Sequence, residues 1–394
     1  MTVEVAATKY QVIAIPGDGV GPEVIDAARR VVDAAGARFG FDVQWTEILA
    51  GGIAIDTYGV AMRPADVELC RAADAVLLGA VGGPKWSDPS AAVRPEQALF
   101  ALRGGLGLFA NLRPVTVHPA LVRSSPLRPE LLEGVDLLIV RELTGGIYFG
   151  QPSEERPSGA GREAVDTMVY NESEIRRVVL LAAAMAAKRR GKLTSVDKAN
   201  VLATSRLWRK VVDEERRRFP TVEVNHQLVD SCAMLLVRHP ADFDVIVTEN
   251  LFGDILSDEA AVLAGSLGML PSASLGDRLT KHGTFGLYEP IHGSAPHIAG
   301  EDKANPIGTI LSAAMMLRLS LGLDEAATAV ETAVADALEV VGGPAIWPTR
   351  RTGTTDSWSS ARPGSRPRSS NRSKRRCRHD RHGPARRPLR HDAP

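Results

Sequence analysis

The chain has 394 residues, 44% of them hydrophobic and 24% charged, and its 47 Lys and Arg balance its 47 Asp and Glu. No apolar run reaches the ~20 residues that cross a bilayer, and the N-terminal "MTVEVAATKYQ" lacks the basic flank and apolar core of a signal peptide, so neither a membrane-spanning helix nor a secretory leader is expected. The length exceeds what one core usually fills and favours two domains, while Cys70, Cys232 and Cys377 lack metal-ligand spacing and fit a reducing cytoplasm.

In chain order, "YQVIAI" reads as a buried strand and "PEVIDAARRVVDAAGARFG" as a helix closed by glycine, with "FDVQWTEI" as the next strand. The corner between the first two is "PGDGVG". Gly17 and Gly19 fit the start of a dinucleotide fingerprint, but Pro22 occupies the third position and Gly21 falls one residue early. Pro22 suits the first residue of a helix, so the corner reads as a tight glycine turn or as one that lines a cleft. "ADVELCRAA" and "AVLLGAV" repeat the helix and strand alternation, which predicts a parallel sheet covered on both faces.

In "RPEQALFALRGGLGLFANLRP", Glu96, Leu99, Phe100 and Arg103 recur at the spacing of one helical face, and Arg113 follows next to Pro114. Arg141 ends the strand "DLLIVRE", where open α/β sheets place their ligand crevice. Three arginines from separate elements can clamp a dicarboxylate, although each taken singly is a surface ion pair. Residues 144–161 are rich in Gly, Ser and Pro and form a long functional or partner-contacting loop, in which Tyr148 is a core aromatic or a proton donor.

Helices are predicted over 172–190 and 201–218, separated by the strand "KLTSVDKAN". Its Lys198 is either a base, if partly buried among cations, or a lysine whose head lies in water. After the strand "FDVIVTEN", a helix over 254–264 presents Asp254 and Asp258 on one face. Hard oxygen donors at that spacing suit Mg²⁺ or Mn²⁺, with Asp230 a candidate third ligand, while the plainer reading makes each a helix-terminal acid. "GLYEPIHGSAPHIAGEDKANP" has the small residues and turns that let backbone N–H groups face an anion, or is a long surface loop. From Gly342 onward 14 Lys and Arg face 3 Asp and Glu with almost no aliphatic residues, a composition that predicts a basic disordered tail.

Together "PGDGVGPEV", "GAVGGPKW", "LFANLRP", "VRELTGGIYFG", "SVDKANVL", "TENLFGDILSDEA" and "EPIHGSAPHIAG" resemble, in order, the β-decarboxylating 2-hydroxyacid dehydrogenases over residues 9–340. Among their isopropylmalate, isocitrate, homoisocitrate and tartrate branches, the first is nearest: Leu143 and Gly146 stand where isocitrate-type members carry polar and acidic residues. The resemblance implies a two-domain α/β fold with a mostly parallel mixed sheet, distinct from the classical Rossmann fold. It divides the chain into a cofactor domain (1–108 with 265–341), a substrate, metal and dimerisation domain (109–264) and the tail (342–394).

The resemblance further implies oxidative decarboxylation of 3-isopropylmalate by a cytoplasmic homodimer with shared sites, using NAD and Mg²⁺ or Mn²⁺. Substrate would meet Glu96, Leu99, Phe100, Arg103, Arg113, Arg141 and Asp230, and metal would meet Asp254, Asp258 and the other subunit's copy of position 230. Lys198 and Tyr148 would move protons. NAD would lie along Glu289, His292, Gly293, Ser294, Ala295, His297, Ile298 and Asn305. Two positions depart from the family. His297 replaces an aspartate that holds the adenosine ribose, although Ile298 still favours NAD, and the tail replaces the family's short ending, which reads as out-of-frame translation or as a nucleic-acid-binding appendage.

Overall fold

The computed structural model describes residues 8–341 apart from 89–90 and 160, so the basic stretch 342–394 with Cys377 lies outside the described residues. The chain opens with β1 (Thr8–Gly17), α1 (Gly21–Phe39), β2 (Phe41–Glu47), α2 (Gly52–Tyr58), α3 (Pro64–Ala72) and β3 (Ala75–Ala80). Next come α4 (Gln97–Gly105), β4 (Leu108–Thr116), β5 (Asp136–Glu142) and a hairpin of β6 (Ser153–Ser158) and β7 (Gly161–Asp166). α5 (Glu172–Ala187), β8 (Lys192–Asp197), α6 (Ala203–Glu215), β9 (Glu223–Leu228), α7 (Val229–Arg238), β10 (Val245–Thr248) and α8 (Asn250–Ala261) follow. β11 (Pro271–Leu279), β12 (Thr284–Pro290), α9 (Ile307–Leu319) and α10 (Asp324–Val341) complete the described chain.

Ten strands form one mixed sheet in the order β2-β1-β3-β12-β11-β4-β5-β10-β8-β9. Within this sheet the pairing is antiparallel only between β12, β11, β4 and β5, and parallel elsewhere. The first five strands in this order come from both ends of the described chain and the other five from residues 108–248, so the chain leaves one half of the sheet and returns to it. Strand pleating sends alternate residues to opposite faces. Val12 and Ala14 join a core with residues of α1, α5 and α9, whereas Ile13 and Ile15 join a second with Cys70 of α3 and Leu102 of α4. A third core sets Ile139 and Val196 against Leu236 of α7 and Leu256 of α8. Cys70 and Cys232 are free buried thiols whose burial pushes both pKa values up to about 12, which leaves little nucleophilic thiolate.

Local chemistry sets most element ends. Gly40 closes α1 in the left-handed conformation, and Asn171 with Glu174 forms a reciprocal capping box at the start of α5. Several details differ from the sequence expectations, among them that β12 (Thr284–Pro290) takes up the start of the expected loop at Gly286. α1 begins at Gly21, one residue before Pro22. α8 begins at Asn250 rather than at Asp254, because the Glu249 carboxylate accepts hydrogen bonds from the N–H groups of Leu251 and Phe252 at 3.0 and 2.8 Å. β8 ends at Asp197, so Lys198 lies just past the strand. The long loop over 144–161 carries one arm of an exposed hairpin, β6 with β7.

Candidate active site

Arg103 leaves α4, Arg113 lies on β4 and Arg141 ends β5, strands from the centre of the sheet. Arg141 is 5% exposed, and burial pushes its pKa down to about 10, opposed by Asp254 and reinforced by the charges of Arg113 and Arg103. Burial lowers the Arg113 pKa as well, with Asp254 and Asp258 countering and Arg103 adding to it. The three guanidinium groups therefore share one partly desolvated field. Such a cluster is unfavourable without an anion, because each cation destabilises its neighbours.

Two carboxylates from α8 supply part of that compensation. Asp254 pairs with Arg141 and lies 4.0 Å from Arg113, while Asp258 lies 3.3 Å from Arg113. Arg113 also donates to Ser257 Oγ at 2.6 Å and Asn111 Oδ1 at 2.8 Å. The Tyr148 hydroxyl donates to Asp254 Oδ2 at 2.9 Å. Partial burial, then this hydrogen bond, raises the Tyr148 pKa, so the phenol stays protonated at neutral pH. The residue is 46% exposed, which removes the core-aromatic reading.

An apolar edge adjoins the arginines. Leu99 packs on the core beneath α4, while Phe100 and Phe149, 48% and 46% exposed, meet edge to face with ring centres 6.1 Å apart. Glu96 is the exposed residue preceding α4. Leu143 is 3% exposed and faces the core, so it marks packing rather than a substrate contact. Gly146 has φ of 81°, and a Cβ there would lie 2.7 Å from the Tyr170 hydroxyl, so glycine is required on geometric grounds.

Lys198 and Asp230 lie together, with Nζ 2.7 Å from Oδ1. The hydrogen bond from Lys198 holds the Asp230 carboxyl below the usual range. Among the described residues neither makes a hydrogen bond or ion pair with Asp254, Asp258 or Tyr148, and no three metal-ligating side chains group together within the chain. Within one chain these two groups are therefore separate. Asp230 shares its face of α7 with exposed Met234 and Val237, at i, i+4 and i+7, and Asp258 shares its face of α8 with exposed Ile255, with exposed Val262 just past the helix end.

The predicted cofactor segment wraps the glycine turn. Val20 N–H donates to Ser294 O at 2.8 Å, and Gly300 N–H donates to Glu23 at the start of α1. Gly17 and Gly19 have φ of 71° and 60°, and a Cβ on Gly19 would lie 2.0 Å from Ser294 O. Asp18 between them accepts N–H groups from Gly52, Ile53 and Gly82 at 2.7 to 2.8 Å, joining this turn to the start of α2 and to the segment after β3. Glu289 pairs with Arg103 at 3.0 Å, linking this segment to the arginine cluster. Ser294 is buried, Ala295 is held at φ of 37°, and a Cβ on Gly293 would meet open space. His292 Nε2 is buried without a hydrogen-bond partner, His297 is exposed, and Ile298 N–H donates to Ala295 O at 3.1 Å. Asn305 accepts from Ile307 N–H at 3.1 Å at the start of α9. Gly19→Ala should cost about 1–2 kcal/mol of left-handed strain and push the Ser294 loop outward. A lower melting temperature with weakened dinucleotide binding by calorimetry is the expected result, and unchanged binding would separate the turn from that loop.

Asn111, Ser257, Asn250 and Asp18 escaped the sequence reading. Each is a neutral or acidic side chain whose role depends on a partner far along the chain, and no local signal marks it.

A family model described as isocitrate/isopropylmalate dehydrogenase matches residues 11–344. The chain is 58% identical over 324 residues to the 3-isopropylmalate dehydrogenase of Anaeromyxobacter dehalogenans, covering 82% of this chain and 90% of that protein. It is 58% identical over 326 residues to the enzyme of the same name from Moorella thermoacetica, covering 82% and 89%. Among solved structures, isocitrate dehydrogenase from Methylococcus capsulatus superposes with a TM-score of 0.71 at 34% identity, covering 84% and 91%. A β-decarboxylating dehydrogenase from Thermococcus kodakarensis gives 0.66 at 39%, covering 83% and 89%.

Proposed function

The chain belongs to the isocitrate/isopropylmalate dehydrogenase family, and from that premise we infer that it carries out the oxidative decarboxylation of 3-isopropylmalate to 4-methyl-2-oxopentanoate in leucine biosynthesis. The observation that carries this choice of substrate is the edge of Leu99, Phe100 and Phe149 beside three arginines: two carboxylates meet cations and an alkyl branch meets hydrocarbon. Isocitrate would set a third carboxylate against that edge without a counter-charge, a costly arrangement.

Residues 1–108 with 265–341 supply the cofactor half and 109–264 the substrate half. NAD fits the 289–305 segment, where the orphaned His292 Nε2 and the open space over Gly293 await a polar ligand. Ile298 supports NAD over NADP even with His297 in place of an acid. Asp254 and Asp258 offer the hard oxygen donors that Mg²⁺ or Mn²⁺ takes, and a second chain's Asp230 would supply the third. Docking the exposed apolar faces of α7 and α8 across a homodimer would bury Met234, Val237, Ile255 and Val262 and join the two half-sites. Among the described residues no helix is long and apolar enough to cross a membrane, and a cytoplasmic setting suits a biosynthetic enzyme.

In the mechanism, Arg103, Arg113 and Arg141 hold the two carboxylates and so orient C2 and C3. NAD supplies the oxidising power at C2. A divalent cation held by the acids supplies charge stabilisation for an oxyanion. Lys198 from the second chain takes the C2 hydroxyl proton as that carbon is oxidised to a ketone. The carboxylate β to the ketone then leaves as CO₂, its bonding electrons forming an enolate. Tyr148, kept protonated by burial and by Asp254, gives its proton to C3.

Formation of reduced nicotinamide from 3-isopropylmalate, NAD and Mg²⁺, with isocitrate and NADP in parallel, tests the whole reading. Turnover with isopropylmalate and NAD supports it. Isocitrate as the better substrate would overturn the apolar-edge argument, and NADP as the better oxidant would overturn the cofactor choice and make His297 its cause.

A further inference from the structure

Resting on that reading, we infer that Asn250 is the positioning residue of the substrate clamp: it sets the Arg141 fork and the Tyr148 turn together, and its neutrality leaves the positive charge of the fork free for substrate. Asn250 is 1% exposed and opens α8. Its Oδ1 accepts from Arg141 Nε at 3.1 Å and Nη2 at 2.8 Å, while its Nδ2 donates to Gly145 O at 3.1 Å, three residues before Tyr148. Its own N–H donates to the buried Tyr170 hydroxyl at 2.9 Å, which lies 3.3 and 3.4 Å from the carboxylates of Glu142 and Glu249. Glu142 in turn accepts from Thr144 N–H and Gly145 N–H at 2.9 and 2.7 Å.

The helix is shaped for this contact. Asn250, Gly253 and Asp254 share one face of α8, and the Arg141 stem lies across Gly253, where a Cβ would come within 2.6 Å of its Cγ. A guanidinium has five N–H groups. Asn250 takes two and Asp254 a third on Nη1, which leaves one N–H on each terminal nitrogen, the pair a carboxylate accepts side by side. An acid in place of Asn250 would hold the same geometry but cancel the charge that attracts substrate, and would face the Gly145 carbonyl without a donor. A neutral amide satisfies both neighbours.

The test is a cycle of Asn250→Asp, Asn250→Ala, Arg141→Ala and the two double variants, read by steady-state kinetics in both substrates, calorimetric titration of 3-isopropylmalate, and melting. The substrate KM and Kd are expected to rise about tenfold or more in each Asn250 variant with the NAD KM unchanged, on the scale of a lost charged bidentate contact. With Arg141 already removed, the Asn250 changes should add little to substrate binding. Two results would overturn the inference: substrate and NAD KM rising in parallel, or losses that stay additive with Arg141→Ala. Asn250→Ala reads the lost fork even if Asn250→Asp fails to fold. An unmodified protein inactive with isopropylmalate overturns the functional reading, and the inference falls with it; an active protein whose Asn250 variants bind substrate normally overturns the inference alone.

Discussion

Lys198→Met should lower turnover with 3-isopropylmalate by about 10²–10⁴-fold, the range a positioned general base contributes, while substrate affinity changes far less. Methionine keeps the length and apolar stem of the side chain but loses the amine nitrogen that would accept the proton. In the chain alone Lys198 reaches Asp230 at 2.7 Å, so the substitution also frees that acid from its cation. The Asp230 pKa, depressed by the lysine, should then return toward the ordinary carboxylate range. Single-turnover measurement of the oxidation step checks the assignment. An unchanged rate would take Lys198 out of the mechanism.

Asp254→Asn should cost on the order of a hundredfold or more in kcat/KM, at least the loss typical of disturbing a metal's supporting shell. Asp254 faces Arg141, lies 4.0 Å from Arg113 and accepts from Tyr148, and on the proposed reading it would also offer an oxygen to a divalent cation. The amide keeps the shape and removes the charge, so the Mg²⁺ concentration for half-maximal rate should rise as well. A normal Mg²⁺ requirement would assign the metal elsewhere. The two variants together report on assembly. If Lys198 of one chain serves Asp254 of the other, each mixed dimer of Lys198→Met with Asp254→Asn contains one intact site and one doubly altered site. Random remixing makes about half the dimers mixed, so roughly a quarter of the parent activity should return from two nearly inactive proteins. No recovery from a verified mixture would place both residues in the same chain's site.

Much of this molecule is legible along the chain because the signals are local. Continuous apolar runs mark β1, β3, β5 and β10, and helical spacing marks α1, α5 and α6. Glycine chemistry marks the corner at Gly17 and Gly19, where φ is positive and a Cβ would strike the opposing backbone. The three arginines, the two acids of α8, Lys198 and Tyr148 were visible as residue types out of place in otherwise apolar segments.

Other features depend on neighbours that no short window contains. The sequence pattern did not mark β11 and β12, whose antiparallel insertion lets the sheet continue from one half to the other. Leu143 signals a branch of the family, yet only the packing shows that it faces the core. Asn250 looks like an ordinary residue near a helix start; its function comes from Arg141, 109 positions earlier, and Gly145, 105 positions earlier. Asp18 likewise binds the start of α2 and the segment after β3, 34 and 64 residues away. The sequence by itself determined the elements with strong local signals, such as β1, α1, α5 and the glycine corner, because backbone preference and the run or period of apolar residues act over a few neighbours. Only the tertiary structure decided which buried polar groups satisfy one another, because an unpaired donor or acceptor inside the protein is costly and its partner is wherever the fold brings one.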